Sequence, residues 1–193
     1  LDPLQWDWPY GSEPAAIAEI GKRLADGDGF EIAREALGSR VTRRELSIYD
    51  LDPERVGRFD VVYIGSLLVH LKDPVRALER VRAICEETLV VVDGVDLPLT
   101  LRSPRLPTFR LDGQGRPWWW YPNLAGLRRL VETGGFAATE APRLLFVPPG
   151  EGWRPSRRDV KAVRSREGRY RLTAAWLGDP HGALAARPRS APD

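Results

Sequence analysis

Residues 59–94, FDVVYIGSLLVHLKDPVRALERVRAICEETLVVVDG, decide the fold. Phe59 to Ile64 is continuously apolar after Asp60 and rich in β-branched residues. That pattern predicts a strand covered on both faces. Asp73-Pro74 supplies a helix N-cap followed by proline at the first helical position. Val75, Leu78, Val81 and Cys85 then recur on one helical face. Leu89 to Val92 is a second short apolar run, and predicts a second buried strand. Residues 59–93 therefore read as a strand–helix–strand unit, for which a right-handed parallel crossover is expected.

Upstream of this unit, residues 1–10 contain two tryptophans and two prolines and read as an ordered loop. Ile17, Ile20 and Leu24 predict a helix over 13–25, with Ser12 as N-cap. Phe30 to Leu37 predicts a second helix that stops at Gly38, and Val41 to Leu46 a short strand. Downstream, 94–122 shows no clean periodicity, is punctuated by prolines and ends in Trp118-Trp119-Trp120-Tyr121. An insert this long inside a domain predicts a lid or substrate loop. Asn123 caps a helix carrying Leu124, Leu127, Leu130 and Val131, which Gly134-Gly135 ends. Leu144 to Val147 and Tyr170 to Leu177 read as strands, the second as the final one. The expected organisation is one domain over 1–178 and a flexible tail over 179–193.

The chain has 193 residues and a formal net charge of +2, from 29 Lys+Arg and 27 Asp+Glu. Such near-balance gives no overall electrostatic case for nucleic acid or membrane surfaces. The single cysteine, Cys85, excludes an intramolecular disulfide, and two histidines, His70 and His181, exclude a His-rich metal site. No apolar run reaches the roughly 18 residues of a membrane span, so a soluble, cytoplasmic protein without a metal is expected. The charge is unevenly spread: residues 154–171 hold eight basic side chains against Asp159 and Glu167. This stretch reads either as a contact to RNA phosphates or as a solvated hairpin.

Several blocks, in order, resemble one family. They are GDGFEIAREALGSRV at 27–41, LSIYDL at 46–51, FDVVYIGSLLVHL at 59–71, DPVRALERV at 73–81, TLVVVDG at 88–94 and YPNLAGLRRLVETGGF at 121–136. Together they resemble the class I S-adenosylmethionine-dependent methyltransferases, and more narrowly the branch around the tRNA wobble-uridine methyltransferases. The resemblance implies an α/β, Rossmann-like, doubly wound sheet with an antiparallel last strand. It also implies an enzyme that transfers a methyl group from S-adenosylmethionine. Leu1-Asp2-Pro3 resembles the end of the family's second strand, so the first strand and its Gly-rich loop are expected to be missing from this sequence. No GxGxxG-like segment follows downstream.

The candidate site residues follow from the resemblance and from the rule that ligands of such sheets lie beyond the carboxyl ends of the strands. Asp2 is matched to the acid that binds the cofactor ribose. Asp50 is matched to the adenine amino group and Tyr49 or Ile48 to its ring, although Asp50 also suits a turn before Asp52-Pro53. Gly65 and Ser66 end the first clear strand, where a ligand favours small residues. His70 is the candidate general base, or else a structural histidine. Trp119, Trp120 and Tyr121 offer an aromatic wall for a planar substrate, or core under the loop. Arg102 and Arg105 offer guanidinium groups to an acidic substrate, or are simply solvated. Many relatives in this branch have Tyr immediately before the His where this chain has Val69, which weighs against carboxymethyl-cofactor chemistry. The acceptor is read as a small molecule. A tRNA acceptor or a non-catalytic binding module remain the other readings, and the oligomeric state stays open.

Overall fold

The computed structural model describes residues 7–8, 28–113, 117–148, 164 and 166–190. In chain order, helices α1 (Asp28–Ala36) and α2 (Pro53–Val56) precede strand β1 (Phe59–Gly65), helix α3 (Pro74–Ile84) and strand β2 (Cys85–Gly94). Helix α4 (Leu97–Arg102), strands β3 (Phe109–Leu111) and β4 (Trp120–Pro122) and helix α5 (Leu124–Thr133) follow. Strands β5 (Phe136–Ala138) and β6 (Arg143–Val147), helix α6 (Arg166–Trp176) and strand β7 (Asp179–Pro188) complete them.

β1 and β2 are parallel, with Val62 opposite Leu89 and Gly65 opposite Val92, so the strand–helix–strand reading holds. The helix between them starts where the sequence places it: the Asp73 side chain accepts from Arg76 N at 3.0 Å, and Pro74 follows. β7 lies antiparallel against β2, from Leu89↔Ala186 to Gly94↔His181. The other edge of β7 pairs antiparallel with β5 and then β6, which lie in series and are interrupted between 139 and 142. Four strands thus run one way, and only the last strand opposes them, in the order β1, β2, β7, then β5 and β6. This is the α/β sheet with an antiparallel last strand that the resemblance implies.

One face of the sheet carries the core. Leu78 and Val81 of α3, Leu127 and Val131 of α5, Leu89 and Val91 of β2, Leu184 of β7 and Phe136 of β5 form a single buried cluster. Each such side chain contributes about 1.5–3 kcal/mol by leaving water. Gly182 sits where α5 crosses β7, and a Cβ there would stand 2.7 Å from Leu127 Cδ2. A side chain there would push the ends of Leu127, Leu124 and Val95 aside.

Five expectations need correction. β1 is not covered on both faces: Ile64 is buried, but Phe59, Val61 and Tyr63 alternate with the inward residues and are exposed, because no described element covers that face. Residues 41–46 form no strand. Residues 94–122 are not structureless, since they hold α4 and the antiparallel hairpin β3–β4. Asn123, fully buried, organises this region as well as capping α5. Its Oδ1 accepts from Gly126 N and Thr108 N, and its Nδ2 donates to Ser103 O and Leu106 O. Residues 170–176 belong to α6, whose Arg, Glu, Leu and Ala favour helix. Finally, 179–188 is no tail but the strand inside the sheet, so the domain runs past residue 178. The expectations for residues 13–25 and 149–163, and for all of 1–10 except Asp7 and Trp8, fall outside the described residues.

Candidate functional site

The carboxyl ends of β1 and β2 and the beginning of the opposed β7 meet at one rim of the sheet. β1 ends at Gly65, and Ser66 N donates to Val92 O at 2.9 Å. Ser66 then adopts φ 47, the one positive φ at a non-glycine position among the described residues. This left-handed conformation costs about 1–2 kcal/mol and turns the chain sharply off the strand. A 3-10 turn, Leu68–His70, follows with all three residues buried.

Asp93, fully buried at the end of β2, holds that turn. Its Oδ2 accepts from Leu67 N at 2.9 Å and Leu68 N at 2.7 Å, and its Oδ1 from Gly94 N at 2.8 Å. Burial pushes the Asp93 carboxyl above its ordinary range, while the three N–H groups and His181 pull the other way without cancelling it. His181 approaches from β7. Its Nε2 lies 3.1 Å from Ser66 Oγ, and its Nδ1 lies 3.0 Å from the backbone carbonyl of Asp179. A carbonyl oxygen only accepts, so in the neutral ring Nδ1 carries the proton and Ser66 donates to Nε2. His181 is buried, whereas Ser66 is exposed.

The hairpin β3–β4 is fastened to the other side of this turn. Trp119 N donates to Val69 O at 2.7 Å, its Nε1 donates to the carbonyl of Asp7, and Trp120 Nε1 donates to Lys72 O at 2.9 Å. Tyr121 lies under Arg110, whose guanidinium is 4.4 Å from the ring centroid and also pairs with Asp96 and Asp112. Trp118 meets Tyr121 edge-on, with centroids 6.2 Å apart. The aromatic run is therefore half-buried strapping, with the indole N–H groups of Trp119 and Trp120 engaged.

The sequence candidates do not share one environment. Gly65 and Ser66 stand at the rim. His70 lies in the interior, with Nδ1 2.7 Å from Pro117 O and Trp118 beside it. Burial lowers its pKa from 6.5, opposed by the Pro117 carbonyl, so the ring is held neutral. Tyr49 is half-buried and donates to Asp7 Oδ2 at 2.7 Å. Burial first, and then Asp7, raise its pKa. Asp50 is exposed on the same 3-10 turn, Ile48–Asp50. Arg102 and Arg105 are exposed, and Asp2 lies outside the described residues. His181, Arg110 and Asp7 were not singled out from sequence. The signal for His181 was present in Asp179-Pro180-His181-Gly182, a polar entry into a small-residue run.

Among the described residues no group of three or more His, Cys, Asp or Glu is arranged to hold a metal ion. No described helix is long and apolar enough to cross a membrane.

No protein-family model and no curated protein match the chain. Solved structures do. The 1,6-didemethyltoxoflavin-N1-methyltransferase of Burkholderia thailandensis, with bound 1,6-didemethyltoxoflavin and S-adenosylhomocysteine, superposes with a TM-score of 0.53 at 14% identity. The alignment covers 95% of this chain and 70% of that one. The fold is Rossmann-like and similar to that of a methyltransferase. The magnesium protoporphyrin IX methyltransferase of Synechocystis PCC 6803 with bound SAH aligns at a TM-score of 0.49 and 14% identity, over 85% of this chain. This chain spans 59% of that enzyme's length.

Gly65 and Ser66 stand at the rim beyond the sheet, where ligands of such sheets are held. The Tyr63 ring lies over Gly65, so close that a Cβ there would stand 2.7 Å from it. Ser66 offers an exposed hydroxyl at this rim, and Asp50 an exposed carboxylate on the separate turn Ile48–Asp50. A Gly-rich loop after a strand is not found among the described residues.

Proposed function

We propose that the chain carries an S-adenosylmethionine-dependent methyltransferase domain acting on a small-molecule acceptor. The observation that supports this most is the sheet order with its single antiparallel strand, which aligns over 95% of the chain with a methyltransferase fold. In this reading Gly65 and Ser66 lie against the cofactor's methyl-bearing end. Asp50, with Tyr49 beside it, reaches the adenine, and Asp2 takes the ribose. The cofactor, when bound, supplies an activated methyl group. The chain's own residues position the acceptor and exclude water, with the strapped hairpin 118–121 as one wall.

The small-molecule acceptor is favoured by the balanced charge and by the 1,6-didemethyltoxoflavin bound to the Burkholderia enzyme. Acceptance of tRNA rests on the Arg-rich stretch 154–171, in which Arg157 and Arg158 lie outside the described residues. A steep salt dependence of tRNA binding that is lost on replacing Arg157 and Arg158 supports tRNA over the small molecule.

Calorimetry with S-adenosylhomocysteine tests the cofactor reading on the protein as its gene encodes it. We expect binding, weakened about tenfold, or about 1.4 kcal/mol, by Asp50→Ala. Absence of binding in the unaltered protein overturns the enzyme in favour of a non-catalytic module.

A further inference from the structure

Ser66 and His181 form a pair that cofactor binding does not require. The serine hydroxyl is exposed at the rim, on a sharp left-handed turn after β1. Behind it, 3.1 Å away, is Nε2 of a buried histidine. The histidine is oriented from its far side, where Nδ1 meets the Asp179 carbonyl at 3.0 Å and the Asp179 carboxylate at 4.0 Å. A nucleophile or hydroxyl, a base and an orienting group within reach of one another are the signature of an activated hydroxyl. The N–H groups of Leu67 and Leu68, which would otherwise stabilise an oxyanion beside Ser66, are both bonded to Asp93. The arrangement therefore suits proton transfer better than acyl transfer.

The geometry points to Ser66 and His181 as a proton relay on the acceptor side, which makes the substrate a molecule whose nucleophilic oxygen or nitrogen carries a proton. This inference rests on the methyltransferase reading. Ser66 touches the acceptor, and His181 acts through it. As the acceptor's O–H or N–H bond breaks, its proton passes to Ser66 Oγ while the serine's own proton passes to His181 Nε2. The electron pair left on the acceptor forms the new bond to the methyl carbon, and the pair of the broken carbon–sulfur bond stays on sulfur. The imidazolium so formed faces the Asp179 carbonyl and carboxylate, with the Asp93 carboxyl near enough for their charges to interact. Acceptors without a removable proton, such as tertiary amines and thioethers, gain nothing from such a pair.

The chain's two histidines make a direct test practical. Long-range proton–nitrogen NMR spectra of the full protein, labelled at histidine nitrogen, report which ring nitrogen is protonated, and His70→Gln assigns the signals. The expected result is a His181 ring with its proton on Nδ1, facing the Asp179 carbonyl, and a bare Nε2 facing Ser66. With S-adenosylhomocysteine present, phenol should shift the Nε2 signal severalfold more than its methyl ether, anisole. Ser66→Ala should abolish that difference. Ser66→Gly, which tolerates the left-handed turn, should abolish it too. A proton on Nε2, no response to phenol, or equal responses to phenol and anisole overturn the relay. Failure of S-adenosylhomocysteine to bind is read separately by calorimetry and overturns the methyltransferase reading instead.

Discussion

Two histidines grip the turn that follows β1, and they do different work. His70 lies within the turn, in the interior, and ties it to the hairpin through Pro117 O. His181 reaches it from the last strand and backs a surface hydroxyl. Both are buried, and both direct Nδ1 at a backbone carbonyl. Burial and the first hydrogen bond therefore do not separate a structural histidine from a chemical one. For His181 the second nitrogen meets an exposed side chain, and that contact gives it a route to a ligand.

Asp93 holds the turn that both histidines share, so Asp93→Ala should have the largest effect. It leaves the buried N–H groups of Leu68 and Gly94 and the half-buried one of Leu67 without their acceptor, at about 1–3 kcal/mol each, and urea unfolding should show a loss of more than about 3 kcal/mol. A loss below about 1 kcal/mol means that the turn is held otherwise.

His70→Ala should cost about 2–3 kcal/mol from the lost bond and the space left behind. Hydrogen exchange should quicken in 117–122 while β2 and β7 stay protected. The same residue sets a pH dependence. Because the folded His70 holds its proton less tightly than the unfolded one, the unfolded state takes up protons first as pH falls. Stability should therefore decline as pH drops through 6.5, and that part of the decline should vanish in His70→Gln. A thermal melt series from pH 8 to pH 5 checks both.

Ser66→Gly should have the smallest effect on folding, within about 1 kcal/mol, since relief of the left-handed strain offsets the lost bond to His181. A large destabilisation would make Ser66 a structural anchor like His70, and the contrast between the two regions would disappear.

The strand–helix–strand unit, the caps at Asp73 and Asn123 and the Gly65–Ser66 strand exit were legible because local signals agree there with tertiary packing. The last strand was not. DPHGALAARP has no β-branched residue and reads as a tail. It needs small residues because it lies between two strands with Gly182 against α5, a demand set by distant neighbours. His181 was lost with it. The exposed face of β1 was misread because Phe59, Val61 and Tyr63 are as apolar as the residues facing inward. The hairpin was hidden because each of its strands has three residues, too short for any period to show.

The position of β7 also bears on how the protein is made. The strand that joins the two halves of the sheet is the last described element of the chain, and Leu89, paired with Val62 on one edge, must wait for Ala186 on the other. During synthesis β2 and the strands β5 and β6 emerge with nothing between them, and the sheet closes only when residues 179–188 have left the ribosome. Such long-range closure slows folding and leaves apolar strands unpaired in the meantime. A chain ending near residue 178 would keep α3, β1 and β2 but lose the strand that links them to β5 and β6. It should be recovered as aggregate.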